Sequence, residues 1–239
     1  MPKKVRLTLI IMLTIFMFMA ATTTCCGNSA EPPSILIIVP NAPEDLEISI
    51  SAEDASIKAN VTDKVIEKYY TFYSRDLKTT TDYTFKITTG GTSYNISIEK
   101  PLTEYNNIYT LNLKNQTLTP GKLLSRSIFL VSMRVILTLV IEAIVFCLLG
   151  FRNKRSWIAF IVINLITQGT LNIFINGSSP LHGYIIFGLL FAEIFIIIFE
   201  LIAFLAAIKG DRWKIVFHVI IANLLSLFAG GYIITVLPI

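Results

Sequence analysis

After about residue 127 the chain carries four apolar stretches, roughly 127–150, 157–175, 185–208 and 215–236. A helix needs roughly 20 predominantly apolar residues to cross the hydrocarbon core of a bilayer. Backbone in lipid must satisfy its own N–H and C=O groups, which leaves such stretches little choice but to be helical. Residues 122–239 therefore read as a four-helix transmembrane domain, and the lipid bilayer is the first expected partner. Hydrophobic residues make up 54% of the 239 and charged ones only 15%, a more apolar balance than soluble domains have.

The formal charge of +4 conceals a split. Residues 31–121 hold 8 Lys/Arg and 12 Asp/Glu, a net of −4, while the remainder holds 12 basic and 4 acidic residues, a net of +8. An acidic segment joined to a basic membrane part argues against nucleic acid as a partner. The basic residues read instead as topology signals. The connectors "FRNKRSW" and "KGDRWK" are short and basic, whereas "NGSSPLHGY" has neither Lys nor Arg. Loops 151–156 and 209–214 are thus expected in the cytoplasm, beside Trp157 and Trp213 as interfacial aromatics. The N-terminal domain and the C-terminus are expected outside.

The N-terminus agrees independently. Lys3, Lys4 and Arg6 precede an apolar run from Leu7 to Ala21, and "NSA" before Glu31 suits cleavage. Residues 1–30 read as a secretory signal peptide. The alternatives are an uncleaved signal anchor, or lipidation at Cys25 or Cys26 after a poorly matching "TTTCC". Cleavage after Ala30 leaves Cys147 as the sole cysteine, with no disulfide framework.

Residues 31–121 read as an extracytoplasmic β-sandwich of immunoglobulin-like size, which makes the whole chain α+β with two domains. "LEISIS", "DYTFKITT", "SYNISIE" and "IYTLNLK" alternate apolar with polar residues, and "ILIIV" suits a buried strand. "ASIKANV" (55–61) and "VIEKYYTFYS" (65–74) bring the expected strands to seven. Gly90-Gly91 supplies the positive φ of a tight hairpin turn. Tyr69, Tyr70, Phe72 and Tyr73 cluster in one strand. They read as core and cross-strand packing, with a ligand-binding aromatic platform as the alternative.

The membrane stretches are not uniformly apolar. "IVINLITQG" carries Asn164, Thr167 and Gln168 within five positions. Polar groups in hydrocarbon are costly and demand partners. Glu142 precedes Asn164 by 22 residues and Glu200 precedes Asn223 by 23, each interval crossing one basic loop. An Asn-Leu pair and then a hydroxyl residue, Thr167 or Ser226, follow in each. The two stretches read as parallel hairpin repeats, an arrangement some transporters use. Their depths coincide, so Glu142, Asn164, Thr167, Gln168, Glu200, Asn223 and Ser226 are expected to form one intramembrane polar layer. Glu142 is expected to pair with Asn164 and Glu200 with Asn223. Arg134 and Glu193 fall at another common depth, where an ion pair would avoid two isolated charges; the alternative is an Arg134 that snorkels to the surface. His218 is expected at the interface.

Zincin, di-iron, P-loop, G-x-S-x-G and CxxC patterns are all missing from the sequence, so no catalytic residue, metal site or cofactor is expected. Sequons at Asn60, Asn95, Asn115 and Asn176 are incidental in a bacterial host, which the Ile-, Lys- and Asn-rich usage suits. On Glu142, "NLITQG", Glu200 and "ANLLSLF", the chain resembles bacterial integral membrane proteins in which a secreted β domain precedes four spans. That resemblance implies a plasma membrane and carries no activity. The reading is a non-enzymatic membrane protein whose outer domain contacts a ligand or another membrane protein. The alternative is a transporter or ion-coupled protein with Glu142 and Glu200 as proton or cation sites.

Overall fold

The computed structural model describes residues 34–52, 55–77, 82–99, 102, 106–178 and 185–238. The expected signal peptide, part of "SAEDAS" and most of "NGSSPLHGY", with His182, lie outside these residues. Among the described residues the chain divides into a β-rich unit, residues 34–127 together with 236–238, and a helical unit spanning Ile128–Thr235.

Among the described residues the β unit holds nine strands: β1 (Ser34–Pro40), β2 (Glu47–Ala52), β3 (Ala55–Lys58), β4 (Asn60–Lys64), β5 (Glu67–Phe72), β6 (Asp82–Thr89), β7 (Thr92–Glu99), β8 (Asn106–Asn112) and β9 (Thr117–Pro120). They form two sheets, β4-β5-β1-β8-β9 and β3-β2-β6-β7. β1 lies at the centre of the first, antiparallel to β5 and parallel to β8. Its run "SILIIVP" is buried on both faces, which is why it reads as continuously apolar rather than alternating. β6 keeps the alternation of a strand with one buried face: Tyr83, Phe85 and Ile87 are buried between more open neighbours. One core draws on both sheets, with Ile35, Ile37 and Phe72 from the first and Ile48, Ile50 and Phe85 from the second. Burying each such side chain contributes roughly 1.5–3 kcal/mol.

Two departures from the sequence expectation have local causes. "ASIKANV" is two strands, because the chain changes sheets at Ala59. β3 pairs with β2 and β4 with β5, and the Ala59 amide still bonds to the Ile48 carbonyl at 2.9 Å. β9 was not expected, being four residues long and ending in proline. It is returned to β8 by a turn in which Asn112 Oδ1 accepts the amides of Lys114 and Asn115 and Gln116 takes φ 53°. The Gly90-Gly91 hairpin forms as expected, at φ 57° and 72°, with Thr89 opposite Thr92.

Asp45 ties this turn to the segment before β2. Its Oδ2 accepts the Gly90 amide at 2.5 Å and its Oδ1 accepts the Thr89 hydroxyl at 3.3 Å. The Gly90 bond, more than any other contact, holds the Asp45 carboxyl below its ordinary value of 3.8. Tyr70 donates its hydroxyl to the Leu46 carbonyl at 3.0 Å, and burial, reinforced by Asp63 and Asp45, pushes the phenol up to about 12. Tyr69, Tyr70 and Phe72 are all buried, so the aromatic cluster of β5 packs inward; only Tyr73 is exposed.

The helical unit is built from α1 (Leu124–Leu148), α2 (Lys154–Gly177), α3 (Ile185–Ala207) and α4 (Arg212–Val236). All four are long and apolar enough to cross a membrane, as a multi-pass membrane protein requires. Three of them start three residues earlier than hydropathy suggests. Asn153 caps α2 by accepting the Arg155 amide at 3.0 Å, and Asp211 accepts the Trp213 amide at 3.0 Å before α4. Caps let basic residues form the first turn, which an apolar window cannot register. Gly150, at φ 83°, ends α1 as a left-handed residue after a helix commonly does. Trp157 Nε1 then donates to the Phe151 carbonyl at 2.9 Å, closing the α1–α2 loop.

Two outcomes follow for the β unit. Phe85→Ala should lower its unfolding free energy by about 3–5 kcal/mol, seen as a fall in Tm of the full chain in detergent. Asp45 has a depressed folded-state pKa, so its contribution is present above the unfolded carboxylate range and lost as pH falls through the folded value. Acid titration of Tm should therefore decline less steeply in Asp45→Asn than in the parent.

Candidate functional site

The helices invert the usual arrangement of polar and apolar residues. Ile136, Ile144, Ile161, Leu165, Phe191 and Phe228 are exposed, while Glu142, Asn164, Thr167, Gln168, Glu193, Glu200, Asn223 and Ser226 are buried. Periodicity explains the sorting: Asn164, Thr167, Gln168 and Asn172 recur at intervals of three and four, which places them on one helical face. All seven residues expected in the layer are inside the bundle.

Glu200 of α3 has both oxygens engaged. Thr167 Oγ1 of α2 donates to Oε1 at 2.6 Å, and Asn223 Nδ2 of α4 donates to Oε2 at 2.6 Å. Glu142 of α1 is held differently. Gln168 Nε2 of α2 and Ser226 Oγ of α4 both approach Oε1, each at 3.4 Å, and Oε2 has no hydrogen-bond partner. Each carboxyl group thus joins α2 to α4, one from α1 and the other from α3. The bonds on Glu200 are short and those on Glu142 long for their kind.

The expected Glu200–Asn223 bond is formed; the expected Glu142–Asn164 bond is not. Asn164 is completely buried, and neither side-chain amide atom has a partner. Gln168 lies one turn further along the same face and has one more methylene, and it is the amide that reaches Glu142. Equal sequence spacing does not distinguish these two, because i and i+4 occupy nearly the same azimuth.

Arg134 and Glu193 are both buried and line a common cavity of about 30 Å³, with Thr138, Gln168, Asn172 and Ser226 as its other polar walls. Arg134 Nε donates to the Leu130 carbonyl at 3.2 Å. The expected pair thus shares one cavity wall to wall, Arg134 from α1 and Glu193 from α3.

Two constellations were not legible in the sequence. His218, in the second turn of α4, is 2% exposed and faces the bundle interior. Its ring is surrounded by Phe146 at 4.9 Å, Phe204 at 5.4 Å, Phe160 at 5.9 Å and Phe151 at 6.2 Å between centroids. The signal was the phenylalanine content of the facing helices, which has meaning only once their register is known. In the β unit, Arg126 makes a bidentate ion pair with buried Glu67, Nε to Oε2 at 2.7 Å and Nη2 to Oε1, and also reaches the Tyr69 hydroxyl at 3.2 Å. Breaking such a buried pair by removing one partner costs far more than an exposed pair would.

No family model matches the chain, and neither a curated protein nor a solved structure does.

The two asparagines should separate in unfolding experiments. Asn223→Leu removes a short bond to Glu200 and should cost roughly 0.6–2 kcal/mol, measured in mixed micelles. Asn164→Leu should cost distinctly less, since its amide satisfies nothing.

Proposed function

We propose that the protein is a non-enzymatic, multi-pass plasma-membrane protein that displays a β-sandwich on the extracytoplasmic face. Its outer domain would bind a protein, a wall component or a small ligand, and its helices would anchor it and pair with another membrane protein. The observation that carries the membrane part is the inverted polarity of the helices. Large apolar side chains cover their outer faces while carboxyls and amides fill the interior, which is the sorting that lipid favours.

The sandwich reading draws support from the single core that collects inward residues of both sheets, as two packed sheets require. The repeat reading draws support from the polar layer. Exchanging α1 with α3 and α2 with α4 carries the Ser226–Glu142 contact onto the Thr167–Glu200 contact. The second contact of each carboxyl group breaks the correspondence, because Gln168 replaces Asn164. A duplicated hairpin that later diverged accounts for both the match and the exception. The layer's bonds run between helices, as expected of an anchor whose role is to hold its spans together.

Orientation is the decisive test. Lys154 is exposed at the start of α2 and Ser178 follows its end. In intact cells an impermeant thiol reagent should modify a cysteine introduced by Ser178→Cys and spare one introduced by Lys154→Cys. Protease added outside should remove the β unit. Labelling in the opposite sense would place the β unit in the cytoplasm and overturn the display function.

A further inference from the structure

The two carboxyls of the layer are chemically unequal, although the sequence treats them alike. Glu200 has a donor on each oxygen, both at 2.6 Å, from two different helices. Glu142 is 1% exposed, its Oε2 has no hydrogen-bond partner, and its two Oε1 contacts are stretched to 3.4 Å. A buried carboxyl with an empty oxygen lacks something that native proteins normally supply.

Glu142 reaches the polar cavity through its hydrogen-bond partners rather than as a wall of it. Gln168 and Ser226, the two side chains that touch Glu142, are also two of its walls. Glu193 is another wall, 4% exposed, and its Oε2 likewise has no partner. A volume of about 30 Å³ with polar walls on all four helices is enough for ordered water, which occupies polar cavities and leaves apolar ones dry. The titratable groups that act on Glu142 from the facing helices are Glu193 and Glu200 of α3. α2 presents only amides and a hydroxyl.

We propose that this cavity holds water and makes Glu142 a proton-exchange site, with the Ser226 hydroxyl as the link between them. A proton arriving from cavity water is taken by Ser226 Oγ as the proton of that hydroxyl passes to Glu142. Glu142 becomes neutral and Ser226 is regenerated. Ser226 Oγ is placed for this, 3.0 Å from the Asn223 carbonyl and 3.4 Å from Glu142 Oε1, so its proton has two acceptors between which to turn. Glu200, with both oxygens occupied by donors and neither donor among the cavity walls, is a structural carboxyl. The proposal goes beyond display of the β domain and does not depend on which face of the membrane that domain occupies.

The test is infrared spectroscopy of the full chain in lipid vesicles, following hydrogen–deuterium exchange of the protonated-carboxyl stretch. The parent should show a rapidly exchanging component that Glu142→Gln removes. Ser226→Ala should slow that component about tenfold, equivalent to about 1.4 kcal/mol at the barrier. Ser226→Thr, which copies the residue at the matching place in α2, should restore it. Gly230 also lines the cavity, and a Cβ built there meets nothing within 4 Å. Gly230→Leu should therefore fill the space and slow exchange without touching Glu142. The amide bands of the same spectra verify folding of each variant. A rapid component that survives Glu142→Gln would overturn the assignment to Glu142. Parent-like exchange in folded Ser226→Ala or Gly230→Leu would overturn the route, and so would the absence of any exchanging carboxyl band in the parent.

Discussion

The helical unit is organised by the burial of two carboxyl groups among helices whose outer faces are apolar. A glutamate in such a position must find donors on its neighbours, and the neighbours are thereby fixed in register. Thr167 and Asn223 reach Glu200 from opposite sides, so neither α2 nor α4 can slide by a turn without orphaning it. Apolar packing alone is permissive about rotation and register, since one leucine replaces another at little cost. Hydrogen bonds with directions are not, and their worth in lipid lies as much in this selectivity as in their modest energies.

The layer also divides the bundle into chemically different halves. Toward the starts of α1 and α3 lies the polar side, with Arg134, Glu193 and Asn172 around a cavity. Toward the ends of those helices lies an aromatic side, where Phe146 stacks on Phe151 and Phe160 and meets Trp157 and His218 edge-on.

Much of this was readable in the sequence, for identifiable reasons. The four spans follow from length and hydropathy, and the membership of the layer follows from matching depth, because both depend on distance along one helix. Pairing within the layer depends on reach and azimuth between helices. Sequence spacing therefore identified Asn223 as the partner of Glu200 and missed that Gln168, not Asn164, serves Glu142. The same limit applies to the β unit. Alternation located β6, and Gly90-Gly91 located its hairpin, but Arg126 and Glu67 are 59 residues apart and carry the charges of ordinary surface residues. The change of sheet at Ala59 leaves no mark either, since the polar–apolar rhythm of "ASIKANV" continues across it.

The bond from the Trp157 indole to the Phe151 carbonyl spans six residues and draws on nothing later in the chain. A contact that short closes as soon as both residues have been synthesised, at small entropic cost. The first two spans then have a fixed turn before α3 and α4 exist, and each later span joins a neighbour already in place. Biogenesis of the bundle thus acquires a direction, from N-terminus to C-terminus. Glu142 must wait in a half-built site until α4, made after α1, α2 and α3, brings Ser226 to it.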